Sequence, residues 1–319
     1  MEKVGKKWES LGPGDQLDIV APGFRTEKKN LQAAVQRIKS WPIYTNVPKN
    51  IFGPDVICSN SDKIRLKHLK AALISKSKII WSVRAGYGFI RLLDGLQKIP
   101  PPKKTKLIVG YSDVTSFFGF VIRKWNWPVL HAPLFEGWGL KKTTPRDDKL
   151  LEEIFFGKIK EVVYGGLIPM NTAAKRKKKI HSKVLGGNLT VFVSTLKLPW
   201  QVNTAGAILF FEDIGERGYR IDRCLKLLEQ HGVLKKVKAI IFGAFIEGSE
   251  PDGSDKVWPV IGRFAKAQKF PVFCGLKAGH GKDKLPIPLN TKATLTCGAP
   301  GKNSQKSMGK IKIDTGIQK

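Results

Sequence analysis

A hydroxyl nucleophile needs a base to take its proton, and that base needs a carboxylate to fix its tautomer. Three segments of this 319-residue chain offer those types. Gly110-Tyr111-Ser112-Asp113 follows the apolar run Leu107-Ile108-Val109 and precedes a helical pattern. A serine on such a strand-to-helix turn holds its hydroxyl clear of the backbone, and Gly110 gives the turn room. The Asp113 amide at the helix start can face a developing oxyanion. The same position also suits a helix N-cap, and Val114 stands where a full Gly-x-Ser-x-Gly elbow has its last glycine. Glu212 ends the apolar run Leu209-Phe210-Phe211, with Asp213 and Glu216 competing for its role. A carboxylate beside apolar residues must find a partner or have its pKa raised. His280 lies between Gly279 and Gly281 in a loop, which suits an imidazole presented to a substrate. His131, just after a short apolar strand, is its rival. His68 and His231 fall on helical patterns, and His181 sits beside a basic run.

In open parallel sheets, sites form at the carboxyl ends of strands, so the positioning elements matter. The first half alternates strands with amphipathic helices. Leu17–Ala21, Lys78–Val83 and Lys106–Val109 read as buried strands. Leu31, Ala34, Val35 and Ile38 share one helical face, Ile64 to Ile74 reads as a helix, and so do the stretches around Arg91-Leu92-Leu93 and from Ser116 to Arg123. That alternation predicts βαβ units and a parallel sheet. Composition shifts between Pro145 and Lys179, where a helical piece from Lys149 to Phe156 runs into Lys175-Arg176-Lys177-Lys178-Lys179. The boundaries expected are an α/β domain over 1–158, a linker with a basic loop over 159–181, and a second domain over 182–319. The second half has strands at Ala207–Phe211 and Ala239–Phe245. A helix places Ile221, Cys224, Leu225 and Leu228 on one face and stops at Gly232. Strand-like pieces follow at Ala293–Thr296 and around Ile311 and Ile313.

The 56 basic and 26 acidic side chains give a net charge of +30, which favours contact with polyanions. The cations are spread along the chain, without zinc-finger spacing, a basic zipper region or an aromatic RNA-binding signature, so nucleic acid is not the expected partner. The Lys175–Lys179 run reads as a solvated loop. No apolar run is long enough to span a bilayer. Met1 to Trp8 is positively charged with no apolar stretch after it, so no secretory signal is expected in the chain as given. Cys58, Cys224, Cys274 and Cys297 are scattered, which predicts buried free thiols in a reducing compartment. No cluster has metal-ligand spacing.

Six segments in order resemble the LD-carboxypeptidase family of serine peptidases, which also contains the microcin-immunity peptidases. They are Leu11-Gly12-Pro13-Gly14-Asp15 with Ile19-Val20-Ala21-Pro22; Arg84-Ala85-Gly86-Tyr87-Gly88; Gly110-Tyr111-Ser112-Asp113-Val114-Thr115; Gly186-Gly187-Asn188-Leu189-Thr190; Phe211-Glu212-Asp213 with Tyr219-Arg220-Ile221-Asp222-Arg223; and Gly279-His280-Gly281. Ala85 departs from the family's Arg-Gly-Gly-Tyr-Gly turn, and a backbone donor survives there if its φ is negative. The resemblance implies Ser112 as nucleophile, His280 as general base and Glu212 as its orienting carboxylate. It implies an oxyanion hole of backbone amides from Asp113 and from Gly86 or Ala85. It implies a flavodoxin-like α/β domain joined to a smaller β-rich domain, often in a cytoplasmic homodimer, with a periplasmic setting if a signal was removed. The implied reaction removes the terminal D-alanine from murein tetrapeptides without metal or cofactor. Two alternatives stay open: a microcin-immunity-like peptidase acting on peptidyl-nucleotides, and a non-catalytic polyanion-binding protein.

Overall fold

The computed structural model describes residues 4–301 and 304–318, so Met1 to Lys3 of the charged opening lie outside the described residues. The first half runs β1 (Gln16–Val20), α1 (Lys28–Ile38), β2 (Tyr44–Asn46), α2 (Asp62–Ile74), β3 (Ile79–Ser82), α3 (Ile90–Gln97), β4 (Leu107–Gly110), α4 (Val114–Trp125), β5 (Val129–His131), α5 (Phe135–Gly139) and α6 (Pro145–Phe155). β3, β4 and β5 are buried at every position, because helices cover both faces of a parallel sheet, and their sequences are apolar but for Ser82 and His131 at the carboxyl ends of β3 and β5. The five strands pair in parallel in the order 2-1-3-4-5, the order of a flavodoxin-type sheet.

The second half contains β6 (Glu161–Pro169), α7 (Thr172–Lys175), β7 (Lys178–Asn188), α8 (Leu189–Ser194), β8 (Ile208–Ile214), α9 (Gly218–Gln230), β9 (Ala239–Ile246), α10 (Val257–Ala267), β10 (Val272–Cys274), β11 (Ile287–Leu289), β12 (Lys292–Gly301) and β13 (Ser304–Asp314). All but β11 of these strands close a barrel in the order 10-6-13-12-7-8-9. β7, β8, β9 and β10 run parallel, joined by crossovers carrying α8, α9 and α10, while β6, β13 and β12 close the ring antiparallel. The expected β-rich domain is thus a closed seven-stranded barrel, and the parallel half of it is itself α/β. α9 buries Ile221, Cys224, Leu225 and Leu228, the face its spacing predicts.

Two further differences follow from long-range pairing. The stretch 159–181, expected as a linker with a solvated loop, holds β6, α7 and the opening of β7. Its lysines are exposed, as a charge run predicts, but Lys178 and Lys179 are strand residues paired with Cys297 and Thr296. β11, from the second half, adds antiparallel to β5 and so completes the sheet of the first half. The chain's ends also join: the Trp8 indole donates to the Thr315 carbonyl at 2.9 Å, and Gln318 N donates to the Trp8 carbonyl at 2.7 Å. All four cysteines are free, and three are buried. Among the described residues no helix is long and apolar enough to cross a membrane.

One buried cation fixes the loops above β1 and β3. Arg65 on α2 is 2% exposed. Its guanidinium donates to the carbonyls of Asn60 at 2.9 Å, Gly88 at 3.0 Å and Pro22, and it pairs with Asp62. The fork geometry of arginine lets one side chain hold three loops at once. Substituting Arg65→Leu strands those carbonyls in a dry interior, so urea denaturation is expected to show a loss on the order of 3 kcal/mol. An unchanged midpoint and slope would show that the loops are held otherwise.

Candidate active site

The turn after β4 carries Ser112. The strand ends at Gly110, Tyr111 and Ser112 make the turn, and α4 begins at Val114 with Asp113 at the N-cap position. The N-cap reading of Ser112 is thereby set aside. Ser112 instead holds a left-handed backbone, φ 63°, which a side chain adopts only where surrounding structure enforces it. Backbone bonds from Thr115 N to the Ser112 carbonyl (2.9 Å) and from Ser116 N to the Asp113 carbonyl (3.1 Å) lock the turn onto the helix.

Glu212 and His280 meet at the top of the barrel. Glu212 is the fifth residue of β8 and is fully buried. His280 Nδ1 lies 2.6 Å from Glu212 Oε2, and His280 N donates to the same oxygen at 3.2 Å. A carboxylate only accepts, so the Nδ1 of His280 carries the proton and its Nε2 keeps a free lone pair. Gly279 is needed for this approach: its φ is 105°, and a methyl there would sit 2.5 Å from Glu212 Oε2. The His280 ring packs edge-on against Tyr111, with centroids 4.6 Å apart. The imidazole therefore stands beside the residue preceding Ser112. Among the described residues, no hydrogen bond joins the Ser112 hydroxyl to that imidazole.

His131, the rival histidine, proves to be a companion. It ends β5, is paired with Gly110 of β4, and brings Nε2 to 3.5 Å from Glu212 Oε1. One carboxylate therefore faces two imidazoles, one on each oxygen. Burial alone pushes the Glu212 carboxyl up, but the bonds to His131 and His280 outweigh it and hold the pKa down at about 2. The other candidates at this strand end do different work. Asp213 accepts from Asn188 Nδ2 (2.9 Å), Thr190 N (2.9 Å) and Thr190 Oγ1 (2.8 Å), tying β8 to the start of α8, and burial raises it to about 6. Glu216 pairs with Arg220 one helical turn on. His68, His181 and His231 bond to Asn50, Thr294 and the Leu227 carbonyl, apart from these groups.

The turn from Arg84 to Gly88 is brought to the serine turn by Asp113. Its carboxylate accepts from Phe89 N at 2.8 Å, and burial pushes its pKa up to about 6 against that bond and the nearby Arg65 charge. Ala85 is absent from the residues with positive φ, so its amide keeps the ordinary orientation of an L-residue. Gly86 has φ 87°, and a methyl there would overlap the Phe24 ring at 2.2 Å. Among the described residues, the amides of Asp113, Ala85 and Gly86 donate to no internal acceptor. Donors left open beside a strained serine suit a developing oxyanion. The two units meet here as well, since Asn188 N donates to Thr115 Oγ1 on α4 at 3.0 Å. The Asp113–Phe89, Asn188–Thr115 and Glu212–His131 links were missed by sequence reasoning. Only His131 had left a signal, its place after a strand beside β4.

Comparison with known proteins agrees with this fold. The LD-carboxypeptidase N-terminal domain family matches residues 17–132, and the LD-carboxypeptidase C-terminal domain family matches residues 181–295. A putative carboxypeptidase of Rickettsia conorii is 34% identical over 280 residues, 88% of this chain and 87% of that one. The crystal structure of a muramoyltetrapeptide carboxypeptidase from Oxalobacter formigenes superposes with a TM-score of 0.80 at 26% identity, covering 94% of this chain and 98% of that one. The microcin C7 self immunity protein MccF shares the fold, with a TM-score of 0.80 at 18% identity over 97% of this chain and 98% of its own. The two matched segments take in β1 to β5 and, of the barrel, most of β7 with β8, β9 and β10, with Ser112 in the first and Glu212 and His280 in the second; the chain belongs to the LD-carboxypeptidase family of serine peptidases.

Proposed function

We propose that this chain is a serine carboxypeptidase that removes the terminal D-alanine from murein tetrapeptides, with Ser112 as nucleophile, His280 as general base and Glu212 as the carboxylate that orients it. The observation that carries the reading is the convergence of the strained Ser112 turn with a buried His280–Glu212 pair packed on Tyr111. His280 Nε2 takes the Ser112 proton as the hydroxyl oxygen attacks the carbonyl carbon, and the amides of Asp113, Gly86 and Ala85 receive the oxyanion. The imidazolium returns that proton to the departing D-alanine nitrogen, leaving an acyl ester on Ser112. Water, deprotonated by the same imidazole, then hydrolyses the ester and restores the hydroxyl. Glu212 stays ionised throughout and favours the imidazolium, and His131 holds its other oxygen in place. This chemistry needs only groups of the chain itself.

The peptidyl-nucleotide reading is less well supported. Residues 169–183 include no Phe, Tyr or Trp to stack on a nucleobase, and the Ser112-to-Glu212 interval is compact. The free thiols support a reducing, cytoplasmic setting, and sedimentation velocity tests the homodimer the family resemblance implies.

Incubation with a murein tetrapeptide is expected to yield tripeptide and free D-alanine, and Ser112→Ala is expected to lose about three or more decades of rate with its circular dichroism unchanged. Equal rates in the two proteins would remove Ser112 from the chemistry, and cleavage of aminoacyl-adenylates in preference to the tetrapeptide would favour the nucleotide reading. A second expectation concerns acid. The depressed Glu212 pKa contributes stability that is present above about pH 4.5 and is lost as pH falls towards about 2. Urea denaturation across that window should show wild type losing on the order of 3 kcal/mol more than Glu212→Gln. Parallel losses would mean that the carboxylate is not held ionised by its imidazoles.

A further inference from the structure

The outer face of the barrel over β7, β12 and β13 is a lattice of cations. In β7, Lys179, His181 and Lys183 alternate outward with Ile180 and Val184, which are buried. The register lines them up with their neighbours in rows: Lys179, Thr296 and Lys310 across three strands; His181, Thr294 and Lys312 beside them; Lys183 opposite Lys292 at the end. The sequences of β6, β7, β12 and β13 hold two carboxylates, Glu161 and Asp314. They are register partners at one edge, paired with Lys312 and Lys7. The lysines of these strands outnumber the two carboxylates, so this face favours an external anion layer.

We propose that this face docks the protein on an anionic lipid bilayer, independently of what the Ser112 site hydrolyses. Three features favour a membrane over a nucleic acid. The strand cations are lysines, with no arginine for bidentate reading of bases. The exposed aromatic residues Tyr44, Tyr87 and Tyr219 lie on β2, the Arg84–Gly88 turn and α9, so none is on this face to stack on a base. The flank of the lattice instead carries exposed aliphatic side chains: Val163 opposite Lys312 and Ile168 on β6, and Met308 in line with Lys310 and Lys312 on β13. Such groups gain nothing from a phosphate backbone but enter the headgroup region of a bilayer while the lysines meet its phosphates.

The test uses the full chain with vesicles of phosphatidylcholine alone or mixed equally with phosphatidylglycerol, read by co-sedimentation at ~0.1 M salt, where screening acts over about 10 Å. Binding is expected to the anionic vesicles only, falling as salt rises. Lys179→Gln/Lys183→Gln/Lys292→Gln/Lys310→Gln should bind at least ~tenfold more weakly. The control Lys28→Gln/Lys98→Gln/Lys103→Gln/Lys104→Gln, which removes equal charge elsewhere, should bind as wild type does. Circular dichroism and thermal melting report whether each variant is folded. If the quadruple variant is not, the surface pair Lys292→Gln/Lys310→Gln takes its place with a correspondingly smaller loss. Val163→Ser/Met308→Ser should also weaken vesicle binding. No binding to anionic vesicles, equal losses in the lattice and control variants, or tighter retention of duplex DNA or RNA than of vesicles would overturn the proposal.

Discussion

A negative charge with no access to water sits at the centre of this protein, and much of the surrounding architecture keeps it there. Glu212 is fully buried in a barrel strand, where an isolated carboxylate would be protonated. It is held ionised by imidazoles that come from two directions: His131 at the end of a strand of the parallel sheet, His280 in the loop between β10 and β11. Both halves of the chain thus contribute to stabilising that charge. The close approach of Gly279 and the packing of Tyr111 on His280 are both conditions for it.

The serine side of the site depends on a second set of long-range ties. Arg65 fixes the loops that follow β1 and β3, and Asp113 holds Phe89 so that the Arg84–Gly88 turn stays tied to the Ser112 turn. The strain at Ser112 is sustained because its neighbours on both sides are committed, Gly110 to the β5 ladder and Val114 onward to α4. The amides of Asp113, Ala85 and Gly86 stay without an internal acceptor among the described residues, on turns that these ties hold in place.

Much of this was legible in the sequence, and the rest fails for identifiable reasons. β1, β3, β4, β8 and β9 announce themselves because a strand covered on both faces carries a mainly apolar run. Ser112, Glu212 and His280 could be named because they follow such strands or sit between glycines. β6 and the start of β7 did not read as strands, since Gly165, Gly166 and the lysines of 175–179 carry the composition of a loop, and only pairing with β13 and β12 makes them sheet. β11 is three residues long with Pro288 at its centre, and its place is set by β5, more than 150 residues earlier. The tie from Asp113 to Phe89 spans 24 positions and follows no local periodicity.

The antiparallel strand β11 lends one half of the chain to the sheet of the other. With the Asn188–Thr115 bond and the joined ends at Trp8 and Ile317, it makes the two units mutual scaffolds. An exchange of halves between relatives, cut anywhere in the connecting segment, would leave one sheet with a bare edge and a foreign strand to accept. A substitution on one side of this seam is therefore felt by the packing of the other.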